Sequence, residues 1–157
     1  MQNSNAKTFI IRDLEFFWAK LTKPEANRFG NEVYDLQVRF PKKRKREMEK
    51  LGFKVRVVDT ETGALGTNIS RKSKNAKGEA TPVRVVDSLK QPLDKMIGNG
   101  SKGHVIVYQY PWSMGGRSGI KTILVAVQVT DFIEYKDDSV DFDIIGTSTQ
   151  ESDTVDF

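Results

Sequence analysis

Tyr108, Tyr110 and Trp112 recur at every second position, with basic residues on either side at Lys102 and Arg117. Alternate residues of a β-strand share a face, so this spacing sets three flat rings along one side. Rings and cations together suit one kind of chemistry. An unstacked base lies on an aromatic face, at roughly 1–3 kcal/mol per base, while Lys and Arg meet the phosphates that link the bases. Trp18, Lys20 and Arg39 supply the same residue types earlier in the chain. Residues suited to catalysis are sparse. Cysteine is absent and His104 is the single histidine, which excludes disulfides, Cys-ligated metal and a His cluster for zinc. Asp13 with Glu15, and Asp87, are the carboxylates close to apolar strands, and no catalytic motif surrounds them. Gly98-Asn99-Gly100 precedes a strand and lacks the Walker lysine, so it reads as a structural corner rather than a phosphate loop. Neither enzymatic activity nor a cofactor is expected.

The whole chain has 157 residues, of which 38% are hydrophobic, enough for one domain with one core. No window approaches the roughly 18 consecutive apolar residues of a membrane span, and Met1 to Thr8 is too polar for a signal peptide. The formal net charge of +4 conceals a split. From Lys136 onward there are seven acids (Asp137, Asp138, Asp141, Asp143, Glu151, Asp153 and Asp156) against one lysine. Removing these from the chain's 21 acids and 25 bases leaves 14 acids and 24 bases in residues 1–135. The body is thus near +10 and the tail near −6, as for a polyanion-binding domain with an acidic appendage. The expected division is 1–135 as a single-stranded nucleic-acid-binding domain and 136–157 as a flexible, partner-binding tail.

The elements that must position the rings are mostly strands. Thr8–Leu21 is apolar on both faces and can bend to serve two surfaces, as in a small barrel. Thr22–Asn31, with Pro24 and Gly30, reads as a loop. Glu32–Phe40 alternates cleanly, with Tyr34, Leu36, Val38 and Phe40 toward a core and Arg39 toward solvent. Pro41 opens a helix over Lys42–Leu51 that stops at Gly52. Its Lys42-Lys43-Arg44-Lys45-Arg46 run opposes the helix dipole and fits a nucleic-acid patch, a solvated face or a targeting signal.

Further strands are expected at Phe53–Val58, Gly66–Ser73 and Val83–Val86, with a mobile loop tip at Asn75–Thr81 and one helical turn at Pro92–Met96. Then come His104–Trp112, a glycine loop at Ser113–Gly119, and a strand from Ile120 to Tyr135. That last strand places Ile123, Val125, Val127, Val129 and Ile133 on one face. The absence of a βαβ rhythm points to an all-β fold with one short helix, and a five-stranded Greek-key OB barrel is the small example that fits.

The acidic tail cannot bury enough apolar surface to fold by itself, yet it ends in Val155-Asp156-Phe157. Lying in the protein's own basic groove, it would mimic a phosphate backbone and compete with it.

Together these features resemble the single-stranded DNA-binding proteins of short-tailed lytic bacteriophages. The resemblance rests on Ile97-Gly98-Asn99-Gly100-Ser101-Lys102, the strand reaching Tyr110-Pro111-Trp112, the long strand after it, and Phe29-Gly30-Asn31 leading into Val33-Tyr34. The helix after Phe40-Pro41, Val85-Val86-Asp87-Ser88 and the terminal Asp156-Phe157 add to it. It implies an OB-fold, a homodimer, sequence-independent binding of single-stranded DNA, and strand annealing in phage replication, recombination and repair in the cytoplasm of the infected bacterium. It also implies contact with the phage DNA polymerase and helicase-primase through the tail, with Asp153, Asp156 and Phe157 as its contact residues. The chain departs from the group in a shorter region after the helix and in fewer acids in the tail.

The expected DNA-binding residues are Trp18, Tyr108, Tyr110 and Trp112 for stacking, and Lys20, Arg39, Lys43, Arg44, Arg46, Lys102 and Arg117 for phosphates. The alternatives are an RNA-binding or cold-shock-like module on the same fold and a recombination scaffold with little DNA affinity.

Overall fold

The computed structural model describes residues 6–135. Within them the chain forms β1 (Lys7–Ala26), β2 (Glu32–Phe40), a 3-10 turn (Lys42–Arg44) running into α1 (Lys45–Lys50), β3 (Arg56–Asp59), β4 (Ala64–Lys72), β5 (Arg84–Val86), β6 (Ser101–Met114) and β7 (Arg117–Asp131). The strands form one sheet in the order β3-β4-β2-β1-β6-β7-β5. β4 also packs on β7, where the Arg71 guanidinium donates to the Leu124 carbonyl at 3.4 Å. β1, β2, β4, β6 and β7 are therefore the five long strands of an OB barrel, and β3 and β5 are short additions at its margins.

β1 does the bending that its two apolar faces imply. It pairs with β6 through Lys7–Phe16 and with β2 through Glu15–Ala26, with irregularities between Ile11 and Leu14 and between Phe17 and Lys20. Asp13 (φ 60) and Trp18 (φ 52) occupy these breaks in left-handed backbone, where an inserted residue curls the strand. The strand also continues through Pro24 to Ala26, where a loop was expected. Pro24 falls in a further break in register, between Lys20 and Glu25, where its missing N–H removes no ladder bond.

Leu14, Phe16, Leu36, Val38, Ile69, Val105, Val107, Leu124, Val127 and Val129 fill the interior, and Met48 of α1 plugs one side. The buried Gln109 Nε2 donates to the Leu51 carbonyl (2.7 Å) and to Thr122 Oγ1 (3.0 Å), tying the helix end to the β6–β7 hairpin.

Three local expectations are corrected. Pro92–Met96 forms no helical turn; Pro92 instead makes an isolated bridge to Val86. Asn75–Thr81 is a tied turn rather than a loose tip, because Asn75 Oδ1 accepts from the Lys77 and Glu79 amides at 2.9 and 3.0 Å. In β7 the inward face changes. Ile106 pairs with Ala126 but Val107 pairs with Leu124, so Val125 is an extra residue that inverts the alternation. Leu124 is buried, while Ile123 and Val125 are half-exposed. The acidic segment, including Asp153, Asp156 and Phe157, lies outside the described residues.

Candidate nucleic-acid interface

The aromatic face is built by the β6–β7 hairpin. Met114 pairs with Arg117 across Gly115-Gly116, whose φ values of 57 and 80 suit the two-residue hairpin turn that matches strand twist. The ladder therefore runs to the turn, and the expected glycine loop is only its tip. Inward, Val105, Val107 and Gln109 are buried; outward, Tyr108 and Tyr110 are half-exposed and Trp112 is 40% exposed. The two tyrosine rings sit 5.8 Å apart at 40°. Across the ladder Tyr108, Tyr110 and Trp112 face Ile123, Lys121 and Gly119 in turn. A Cβ on Gly119 would lie 3.0 Å from Trp112 Nε1, so the missing side chain makes room for the indole against β7.

Tyr110 forms one wall of a groove of about 470 Å³ whose cations are Arg71, Lys72, Lys74 and Lys121. The groove continues past Asn27, Val33 and Ser70 into a channel of about 210 Å³ reaching Lys20, Glu25 and Asp35. No carboxylate lines the main groove among the described residues. In the side channel Lys20 pairs with Glu25 at 3.2 Å. Asp35 accepts from Asn68 Nδ2 at 3.1 Å. Burial is the main influence on Asp35 and raises its pKa above the usual carboxylate range, with the Asn68 hydrogen bond and Lys20 opposing.

The remaining expected residues disperse. Arg117 stands exposed beside the hairpin tip. Trp18 is 58% exposed, but its amide is held by Asn99 Oδ1 at 2.8 Å, beside the corner that opens β6. Trp112 lies near the other end of β6 beside the hairpin turn, so the register sets the two indoles at opposite ends of that strand. Arg39 is 11% exposed in its side chain, lies 3.5 Å over the Phe17 ring and faces Asp59 at 3.8 Å. Placed on the solvent face by its alternation, it is largely enclosed by its own neighbours.

Lys102 and Arg39 belong to a separate cleft of about 840 Å³ with Lys42, Asp13, Glu15 and Asp131. Lys102 pairs in register with Glu15 on one side and Asp131 on the other.

The basic run is not uniform. Lys43 and Arg46 are exposed. Arg44 is a clamp: Nη1 donates to the carbonyls of Arg12 (2.9 Å) and Asp13 (2.8 Å), and Nε and Nη2 grip Glu47. That grip lowers the Glu47 pKa. The clamp anchors the helix on the β1 bulge and leaves little of the guanidinium for a phosphate. His104 has a structural role as well, with Nδ1 accepting from the Asp13 amide at 3.0 Å.

Arg71, Lys72, Lys74 and Lys121 were missing from the expected set. Alternation in β4 gave a weak signal for the first two, since Arg71-Lys72 follows a short apolar strand. Lys121 was legible only as an exception before the apolar face of β7.

No protein-family model and no curated protein matches this chain. Solved structures do. The single-stranded DNA-binding protein gp2.5 encoded by bacteriophage T7 aligns with a TM-score of 0.59 and 15% identity, over 95% of this chain and 98% of that one. The single-stranded DNA-binding protein of bacteriophage Enc34, in a C-terminal truncation, gives 0.55 and 14%, over 87% and 95%. The same protein in complex with single-stranded DNA gives 0.54 and 16%, over 83% and 89%. At these identities the likeness establishes a common fold, the OB-fold of phage single-stranded DNA-binding proteins.

Proposed function

We propose that this protein binds single-stranded DNA without sequence preference and serves phage DNA replication, recombination and repair in the infected bacterium. The observation that carries the reading is the groove beside Tyr110. Four cations meet there with Tyr110, the middle ring of the outward row on β6, and no carboxylate is in its lining. Lys and Arg at that spacing suit a flexible phosphate chain, and ring faces accept any base, which makes for affinity without readout of sequence. The shared fold supports it, since the matched phage proteins are named for single-stranded DNA binding and one is held in complex with it.

In this reading Trp112, Tyr110 and Tyr108 stack bases, while Arg71, Lys72, Lys74, Lys121 and Arg117 meet phosphates. Lys20 extends the track through the side channel, and Lys43 and Arg46 add a diffuse positive field. The acidic segment 136–157 competes for the groove in the resting protein, and displaced by DNA it contacts replication partners such as the polymerase and helicase-primase. The protein works as a homodimer and by binding rather than catalysis.

The test is a titration of full-length protein, and of protein lacking Glu151–Phe157, with dT20, rU20 and a duplex of equal length. Tighter binding to dT20 than to duplex, strengthened by truncation, is expected. A preference for rU20 favours the RNA-binding alternative, and weaker binding after truncation refutes competition by the tail.

A further inference from the structure

We infer that Phe29, on the β1–β2 turn, is an additional base-stacking platform at the far mouth of the groove, resting on the DNA-binding reading above. Phe29 is 72% exposed, more than any other large aromatic side chain among the described residues. A phenyl ring left in water gives up the stabilisation that burial would bring, and loose loops commonly turn such rings inward. This one is kept outward by its backbone. Asn27 Oδ1 accepts from the amides of Phe29 (2.9 Å) and Asn31 (3.0 Å). The Asn27 amide donates to the Asn31 carbonyl at 2.8 Å, and the Gly30 amide to the Asn27 carbonyl at 3.0 Å. Gly30, at φ 82, supplies the left-handed residue that closes the turn.

Two further features point to a nucleotide. Arg28 holds its guanidinium carbon 4.9 Å from the centre of the ring. One face is therefore backed by a cation able to meet a phosphate, and the other is open to a base. Asn27, which fixes the turn, also lines both the groove beside Tyr110 and its side channel. The turn that carries the ring thus borders the groove at Asn27, and the β6–β7 hairpin borders it at Tyr110 and Lys121. A strand stacked on Trp112 and Tyr110 and led over Arg71 and Lys72 emerges at this turn. Because the turn is tied before DNA arrives, a base stacking there orders little new chain.

The experiment is binding of the full chain to a length series of oligo(dT), from dT4 to dT20, for the wild type, Phe29→Ala, Phe29→Trp and Trp112→Ala. Phe29→Ala is expected to weaken dT20 binding about 5- to 150-fold, the equivalent of one stacked base at roughly 1–3 kcal/mol. It should leave the shortest oligonucleotides, held at the hairpin, unaffected. Phe29→Trp should keep dT20 affinity at the wild-type level and, compared with a Trp18→Phe parent that retains Trp112, add tryptophan emission whose increment dT20 quenches and dT4 does not. Unchanged dT20 binding by Phe29→Ala, alongside weakened Trp112→Ala, overturns the role of Phe29 while leaving the groove in place. An equal loss at every length also overturns it, as damage to the turn. Failure of the wild type to bind dT20 at all removes the groove reading itself.

Discussion

Among the described residues the cleft beside Lys102 and the groove beside Tyr110 make a contrast, and the larger of the two is the poorer candidate for nucleic acid. The cleft between Leu14, Phe40 and Thr130 encloses about 840 Å³, yet Arg39, Lys42 and Lys102 are matched there by Asp13, Glu15 and Asp131. The groove beside Tyr110 is about half that volume and sets four cations against no carboxylate. A phosphate entering the first meets as many repulsions as attractions, and the Arg39 guanidinium is already stacked on Phe17. In the second it meets cations alone, with a ring beside them. Volume measures how much can enter; sign of charge and the presence of flat apolar faces decide what stays.

The sharpest way to break this contrast is paired charge reversal. Lys72→Glu with Lys121→Glu should weaken binding to dT20 on the order of a hundredfold at low salt, and flatten the salt dependence by about 1.4 log per log for the two lost contacts. Lys42→Glu with Lys102→Glu should change both far less in an anisotropy titration; equal losses from the two pairs would erase the distinction between the clefts.

Next in size, Trp112→Ala should weaken binding by the roughly 1–3 kcal/mol of a stacked base, equally for dT20 and dA20. A loss confined to one base would mean readout of sequence instead.

Arg44→Ala separates architecture from binding. Its clamp of carbonyls and Glu47 should be worth about 2 kcal/mol of stability, seen as an earlier denaturation midpoint. The salt slope of DNA binding should stay as in the wild type, and a reduced slope would return Arg44 to the phosphate contacts.

The smallest effect is at the boundary of the groove. Burial raises the Asp35 pKa above its usual 3.8, so the native state holds that proton more readily than the unfolded chain. Asp35 therefore lowers stability once ionised, and that loss grows as pH rises from the ordinary carboxylate range through the raised native value. Asp35→Asn should lift neutral-pH stability, flatten that pH dependence and tighten DNA binding a few-fold. Melting curves from acid to neutral pH read the first two directly, and a lowered neutral midpoint would show that the carboxylate is needed by Lys20 or Asn68.

The alternation of Glu32–Phe40 and of His104–Trp112 was legible in sequence because a half-buried strand with regular pairing must repeat every two residues. Both strands contain their expected spans, and the aromatic face of β6 points outward as its spacing implies. β7 was legible only in part. Its apolar residues do repeat at two, but Val125 bulges and inverts the order, and a bulge is set by how two strands meet. The stability of the 75–81 turn likewise came from one asparagine side chain bonding back to the main chain, which polarity alone does not disclose.

By itself the sequence determined an all-β chain with one short helix, a basic body, an acidic end, and three rings on one strand face. These follow from composition and period, which are local properties. Only the tertiary structure decided which cations keep company with which rings. It carried Arg71, Lys72, Lys74 and Lys121 to Tyr110, set Lys102 between two carboxylates, turned Arg44 into a clamp and held Trp18 away. The physical reason is that a groove is made by curling β1 and closing β4 on β7, so neighbours there come from strands far apart in the chain.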